Sequence, residues 1–465
     1  MDPFKKKMIA LGVLLVVVVG GILVYRTLTG GSAPSGACGV PAPKRVALSW
    51  WGALPAAAVQ PVINAYVAGR PYVSIAYTQL DAKTGEQQLI EAWARNTGPD
   101  IYSLRNEQVK HFTAVGLVSP MPASTTSYTY TKKKSLGIKE SLEICKVTRP
   151  APSVEVLNST FIAGALADLT RGGQVYGFPL QFDSIAMFYN QQLLDEAGIL
   201  TPPKTWDEMR KIIPKLTLLD DKGNVIRAGA ALGRGSNIPN MPELLRTIML
   251  QFQVKLTDPT GSQVLFPNEK GAAQVVEFAA SFGNPTKTTY TWDDTLPSAL
   301  DALAQGKTAI AFGTQAELLA VKGQTTGADI RAAAFPQATD RGTTYTADYW
   351  IETVATKVKD PNVAWDFLRF AADVPQVQTL LQQTQGTSAL RSLLVAAQTA
   401  EGADTTAKVF TLQASTATGW FTGTDAKKAR EALNELVDTV ATQKGTTADA
   451  LLRAGQIYNL ALRAT

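Results

Sequence analysis

The sequence predicts an α/β fold built around a parallel sheet and preceded by one N-terminal transmembrane helix. Two observations carry this. Between Arg45 and Leu104, extended apolar stretches alternate with helical ones in the order βαβαβ, the pattern of a doubly wound parallel sheet. Ahead of them, Met8 to Tyr25 runs 18 residues without a charge.

As a helix at about 1.5 Å per residue, that run spans roughly 27 Å, enough for a bilayer core. Lys5, Lys6 and Lys7 precede it, so the positive-inside bias assigns residues 1–7 to the cytoplasm, 8–25 to the anchor and the rest to the outside. A cleaved signal peptide is the alternative, but its apolar region is usually about 7–15 residues. A lipid on Cys38 is disfavoured, because Ser35-Gly36-Ala37 offers no large apolar residue before it. Residues 26–43 are rich in Gly, Ser, Ala and Pro and read as a flexible linker. Cys38 and Cys145 are the only two cysteines. In an exported chain they are expected to form one disulfide, with two free thiols as the alternative.

Composition excludes several functions. There is a single histidine, His111, and nothing around it resembles a nucleophile motif, so a His-based triad and a His/Cys zinc site are not expected. No metal or cofactor is expected. The net charge of +5 comes from 44 basic and 39 acidic residues; it is mild and scattered, and no nucleic-acid partner is expected. Hydrophobic residues make up 45%, which supplies full cores.

The first strand is read at RVALSWW, Arg45–Trp51. The following helix places Val59, Val62, Ile63, Tyr66 and Val67 on one face. Pro71–Thr78 is a second strand, Leu89, Ile90 and Trp93 mark a second helix, and Gly98-Pro99-Asp100 leads into the strand IYSL. Residues 121–159 break the rhythm with Ser, Thr, Tyr and Lys, and read as an irregular insertion in which Lys132-Lys133-Lys134 is a solvated turn. The α/β pattern resumes at Gln174–Leu180 and Ser184–Asn190. Thr205 with Glu208 is a helix-starting capping box. Asp220–Asn224 is a hairpin turn, and Asp360 before Pro361 starts another helix. The last two helices are expected at Asp425–Gln443 and Thr447–Ala464.

The stretch VYGFPLQFDSIAMFYNQQLLDEAGILTPPKTWDEMRK (Val175–Lys211) resembles family 1 extracellular solute-binding proteins of ABC importers, the maltose-binding type. Tyr176-Gly177, Pro179, Tyr189-Asn190 and Pro202–Trp206 stand at the family's motif positions. QGKTAIAFGTQAEL (Gln305–Leu318), the segment Ala334–Asp373 and GTTADALLRAGQIYN (Gly445–Asn459) agree in the family's order. The resemblance implies a periplasmic-binding-protein type II fold, two α/β lobes joined by crossing hinge strands. Lobe 1 would be 44–182 plus 350–386, and lobe 2 would be 183–349 plus 387–465. It further implies a monomer, no catalysis, a small-molecule ligand held in the cleft by hinge closure, and ABC permease subunits as partners.

Sugar-binding members stack aromatic rings on the ligand and meet its hydroxyls with polar groups, at the strand ends where open α/β sheets place ligands. The candidates are Trp50 and Trp51, of which alternation allows at most one in the core. To these are added Arg105 and Asn106 after the third strand, Asp183 at the first hinge, and Tyr349 and Trp350 on the second crossing strand. Trp420 and Trp292 complete the aromatic set. Gln315 stands where many sugar-binding members carry a tryptophan, so one stacking platform is absent. Carbohydrate is the leading ligand class, with peptide or another small solute as the alternative. A sensor module is the second reading of the whole. A hydrolase would need paired carboxylates, and nothing positions Asp183, Asp293 and Asp294 as a pair.

Overall fold

The computed structural model describes residues 35–81, 84–135, 139–325, 327–339, 341–402 and 405–463. The expected membrane helix, Met8–Tyr25, lies outside the described residues. Among the described residues no helix is long and apolar enough to cross a membrane. The chain folds as two compact units. Unit 1 comprises residues up to Arg105, Gly116–Gln181 and Trp350–Ala396. Unit 2 comprises Asn106–Val115, Phe182–Tyr349 and Ala397–Thr465. Against the lobes read from the sequence, residues 106–115 and Phe182 group with unit 2, and 387–396 with unit 1.

Unit 1 is organised on a four-stranded sheet. Strand Val46–Gly52 runs parallel to Val73–Gln79 on one side and to Ile101–Arg105 on the other. Trp350–Val354 closes the sheet antiparallel, with Trp350 opposite Arg105. The helix between the first two strands, Ala56–Ala68, buries Val59, Val62, Ile63 and Tyr66, the face that the sequence spacing marks.

The segment read as an irregular insertion is a β-hairpin. Ser124–Ser135 pairs along its whole length with Lys139–Pro150. Its polar composition hid it, but Thr and Tyr are strand formers, and Thr125 and Ser127 alternate inward. Lys132, Lys133 and Lys134 belong to the strand rather than to a turn. Ser35–Cys38, expected to be flexible linker, is a third strand on this sheet. Its register sets Cys38 opposite Cys145, and the structure joins them in a disulfide. The base of the hairpin is fixed to helix Pro361–Ala371, where buried Asp366 meets Arg70 at 3.0 Å and Arg149 at 3.2 Å.

Unit 2 holds a mixed five-stranded sheet in the order Leu218–Leu219, Val225–Ala230, Thr308–Gly313, Ala186–Asn190 and Ile330–Ala333. Every residue of Thr308–Gly313 and Ala186–Asn190 is buried, as expected for central strands covered on both faces. Thr205 caps helix Trp206–Leu216 by accepting the Glu208 N–H. Asp360 precedes helix Pro361–Ala371 of unit 1 without a side-chain cap, which corrects its expected role. The terminal helices, Ala426–Ala441 and Thr447–Arg463, pack their apolar faces into the core of unit 2.

Candidate ligand-binding site

In unit 1, three parallel strands end at one edge of the sheet, and Trp350 enters the fourth strand at that same edge. This brings Arg105 and Trp350 together: the Arg105 guanidinium lies 4.6 Å from the Trp350 ring centroid. A cation held over an indole face is attracted by the ring quadrupole. Both residues are half-buried, and so is Trp51. Trp51 pairs with Tyr102, three residues before Arg105.

Trp50 takes no part in this edge. The pleat turns it the other way, fully buried, with its ring edge-on to Tyr77 at 4.8 Å and to Phe367 at 5.4 Å. Its indole N–H donates to Glu352 Oε2 at 2.7 Å, and Ser103 donates to Oε1 at 2.7 Å. Burial pushes the Glu352 carboxyl up to about 7, against the pull of these two donors. Trp50 is therefore a core residue, removed from the ligand candidates.

In unit 2, Asp183 has a structural task. Its carboxylate accepts the backbone N–H of Ser184 at 2.8 Å, of Gln315 at 2.9 Å and of Ala316 at 3.2 Å. Gln315 and Ala316 open helix Gln315–Gln324, whose first N–H groups lack intrahelical partners. Asp183 thus locks its own segment to a helix N-terminus. Burial pushes its carboxyl up to about 7, against the pull of the three N–H donors. Gln315 is itself buried at that helix start. Tyr349 is buried with its ring 4.5 Å from Phe182, and its carbonyl accepts the Asn106 N–H at 3.0 Å.

Trp292 is a second correction. It is fully buried, and its indole N–H donates to Asn237 at 2.8 Å; it belongs to the core of unit 2. The neighbouring Asp293 and Asp294 are committed locally. Asp293 accepts from Tyr290 at 2.9 Å and Thr295 at 2.6 Å, and Asp294 meets Arg234 and Ser236.

Trp420 is 4% exposed. Its indole N–H donates to the Glu107 carboxylate, and the Arg430 guanidinium sits 4.9 Å from its ring centroid. Arg430 also forks onto Glu243, with contacts of 2.5 and 3.0 Å, and reaches Glu107 at 3.0 Å. Burial works against charge on both partners. On Arg430 the two carboxylates more than offset it and raise its pKa, whereas the Glu243 carboxyl stays above its ordinary range despite the guanidinium. Glu107, Glu243 and Arg430 were not found from the sequence. They lie far apart along the chain, on a loop and two helices, and no spacing rule connects them.

A family profile described as bacterial extracellular solute-binding protein matches residues 63–407. The chain belongs to the bacterial extracellular solute-binding proteins. Solved structures agree on the fold of this solute-binding protein. One is a cyclic alpha-maltosyl-1,6-maltose binding protein from Arthrobacter globiformis, 16% identical, with a TM-score of 0.69 over 90% of this chain and 100% of that one. A solute-binding protein from Thermotoga lettingae TMO, bound with alpha-D-tagatose, is 16% identical with a TM-score of 0.67, over 90% of this chain and 100% of that one. A protein from Mycobacterium tuberculosis in complex with glycerophosphocholine is 14% identical with a TM-score of 0.68, over 89% and 98%. Among curated sequences, a protein of Brucella abortus (strain 2308) described as a binding protein is 37% identical over 59 residues. That match spans 13% of this chain and 14% of the relative.

Proposed function

We propose that this chain is a membrane-anchored extracytoplasmic solute-binding protein that captures a carbohydrate between its two lobes by hinge closure and delivers it to an ABC importer. The observation that carries the ligand class is the Arg105–Trp350 pair at the strand-end edge of unit 1, with half-buried Trp51 on the adjacent strand. Indole faces suit the apolar faces of sugar rings, and a guanidinium suits hydroxyl oxygens. Cyclic alpha-maltosyl-1,6-maltose and alpha-D-tagatose, named for two solved relatives, support the same class. The apolar run Met8–Tyr25 behind Lys5–Lys7 supports anchoring with the binding units outside. Family membership supports transport rather than catalysis.

Thermal-shift titration tests the ligand class, because a solute bound by the folded state raises the melting temperature by mass action. Maltotetraose, mannobiose and tagatose form the sugar arm, and glycerophosphocholine and short peptides form the other. A shift with a sugar that is lost in Trp350→Ala is expected. No shift with any sugar beside a clear shift in the other arm would overturn the carbohydrate assignment.

A further inference from the structure

Residues Asn106–Val115 follow a strand of unit 1 in sequence and precede another stretch of unit 1, yet they group with unit 2. Side chains hold them there. The Glu107 carboxylate accepts the Trp420 indole N–H, and accepts Arg430 Nη2 at 3.3 and 3.0 Å on its two oxygens. Three residues on, Lys110 donates to the Thr422 carbonyl at 2.6 Å. One residue therefore satisfies the two donors that flank the Trp420 ring. Those are the groups a polyhydroxylated solute would use: an aromatic platform with an N–H and a guanidinium beside it.

We propose that Glu107 is a built-in occupant of the Trp420–Arg430 site, a clasp that a solute must displace. Its carboxylate oxygens stand in for ligand hydroxyls, and while they are bound Trp420 stays covered. Arg430 does not depend on the clasp for its charge balance, because Glu243 is fully buried and forks onto it separately. Release of Glu107 leaves that pair intact. A solute then meets a protein whose competent form is only a fraction of the total, and its apparent affinity falls by that fraction. The consequence for affinity rests on the carbohydrate reading above; the clasp itself does not.

The test on the full chain begins without ligand, by acrylamide quenching of tryptophan fluorescence. In Glu107→Ala the accessible fraction should rise by about one of the eight tryptophans, and the rise should vanish when Trp420→Phe is added. Glu107→Gln, which keeps the shape and an acceptor oxygen but loses the charge on Arg430, should give a smaller rise. This second variant serves if the alanine variant does not fold. No rise in either variant, or a rise that persists without Trp420, overturns the proposal. Maltotetraose titration then separates the two claims. Tighter binding by Glu107→Gln than by wild type is expected, and weaker binding would make Glu107 a ligand contact and overturn the clasp. If neither binds any sugar while the quenching result holds, the carbohydrate reading fails and the clasp stands.

Discussion

Trp50 donates its indole N–H to Glu352 at 2.7 Å inside the core of unit 1, while its chain neighbour Trp51 is half-buried on the opposite face of the same strand. One step of the pleat divides two identical side chains into different tasks. Trp50→Ala should cost about 3–5 kcal/mol, the usual range for a large aromatic removed from a core. Trp51→Ala should change stability by under about 1 kcal/mol and weaken solute binding. Chemical denaturation and calorimetric titration of the two variants check this, and equal effects on stability would refute the division.

Glu352 should make stability depend on pH. Its folded pKa is pushed up to about 7, whereas an unfolded glutamate titrates near about 4.3. Between those values the folded state holds more protons than the unfolded state, so stability falls as pH rises through that window. The contribution is complete below about pH 4 and gone above about pH 7. Glu352→Gln keeps an acceptor for Trp50 and cannot ionise. Melting curves at pH 5 and pH 8 should therefore differ less in the variant than in wild type. Asp183 is pushed the same way, so some pH dependence should remain.

Glu243 is fully buried and pairs with Arg430, which is half-buried and also keeps Glu107. Removing one partner of a fully buried pair costs about 3–5 kcal/mol. Glu243→Ala should show a loss below that range in denaturant unfolding, because Arg430 retains Glu107 and partial exposure to water. Glu107→Ala should lose less, because Arg430 keeps Glu243. A Glu107 variant less stable than the Glu243 variant would contradict this ranking.

The Cys38–Cys145 link closes a loop of 107 residues. In the chain-entropy treatment a loop of about 100 residues corresponds to about 4.7 kcal/mol at most. Cys38→Ser should lower the stability of unit 1 by about 2–5 kcal/mol and release strand Ser35–Cys38 from the hairpin, read as faster amide exchange at residues 35–38. Unchanged exchange there would show that strand pairing alone holds the segment.

Family motifs that lie together along the chain were legible in the sequence. The βαβαβ order, the buried face of helix Ala56–Ala68, the Thr205 cap and the terminal helices each depend on neighbours within a few turns, and local periodicity reports those directly. The alternation rule also allowed only one of Trp50 and Trp51 in the core, although it could not say which. The hairpin of residues 124–150 was missed because Thr, Tyr and Lys read as polar surface. It is a strand pair because partners 4–26 residues away complete its ladder.

Periodicity and motifs read in order carried the two-lobed α/β fold and the family, because both are written in residues close along the chain. Where each candidate side chain sits needed the folded chain. Trp50 and Trp292 went to the cores because two acceptors, buried Glu352 and half-buried Asn237, take their N–H groups. Asp183 became a helix cap because Gln315 and Ala316 bring the N–H groups of a helix start to it from 132 and 133 residues away. Trp420 acquired Glu107 from 313 residues away. Hydrogen-bond satisfaction of buried polar groups is a property of three-dimensional neighbours, and no local pattern encodes which distant residue will supply the partner.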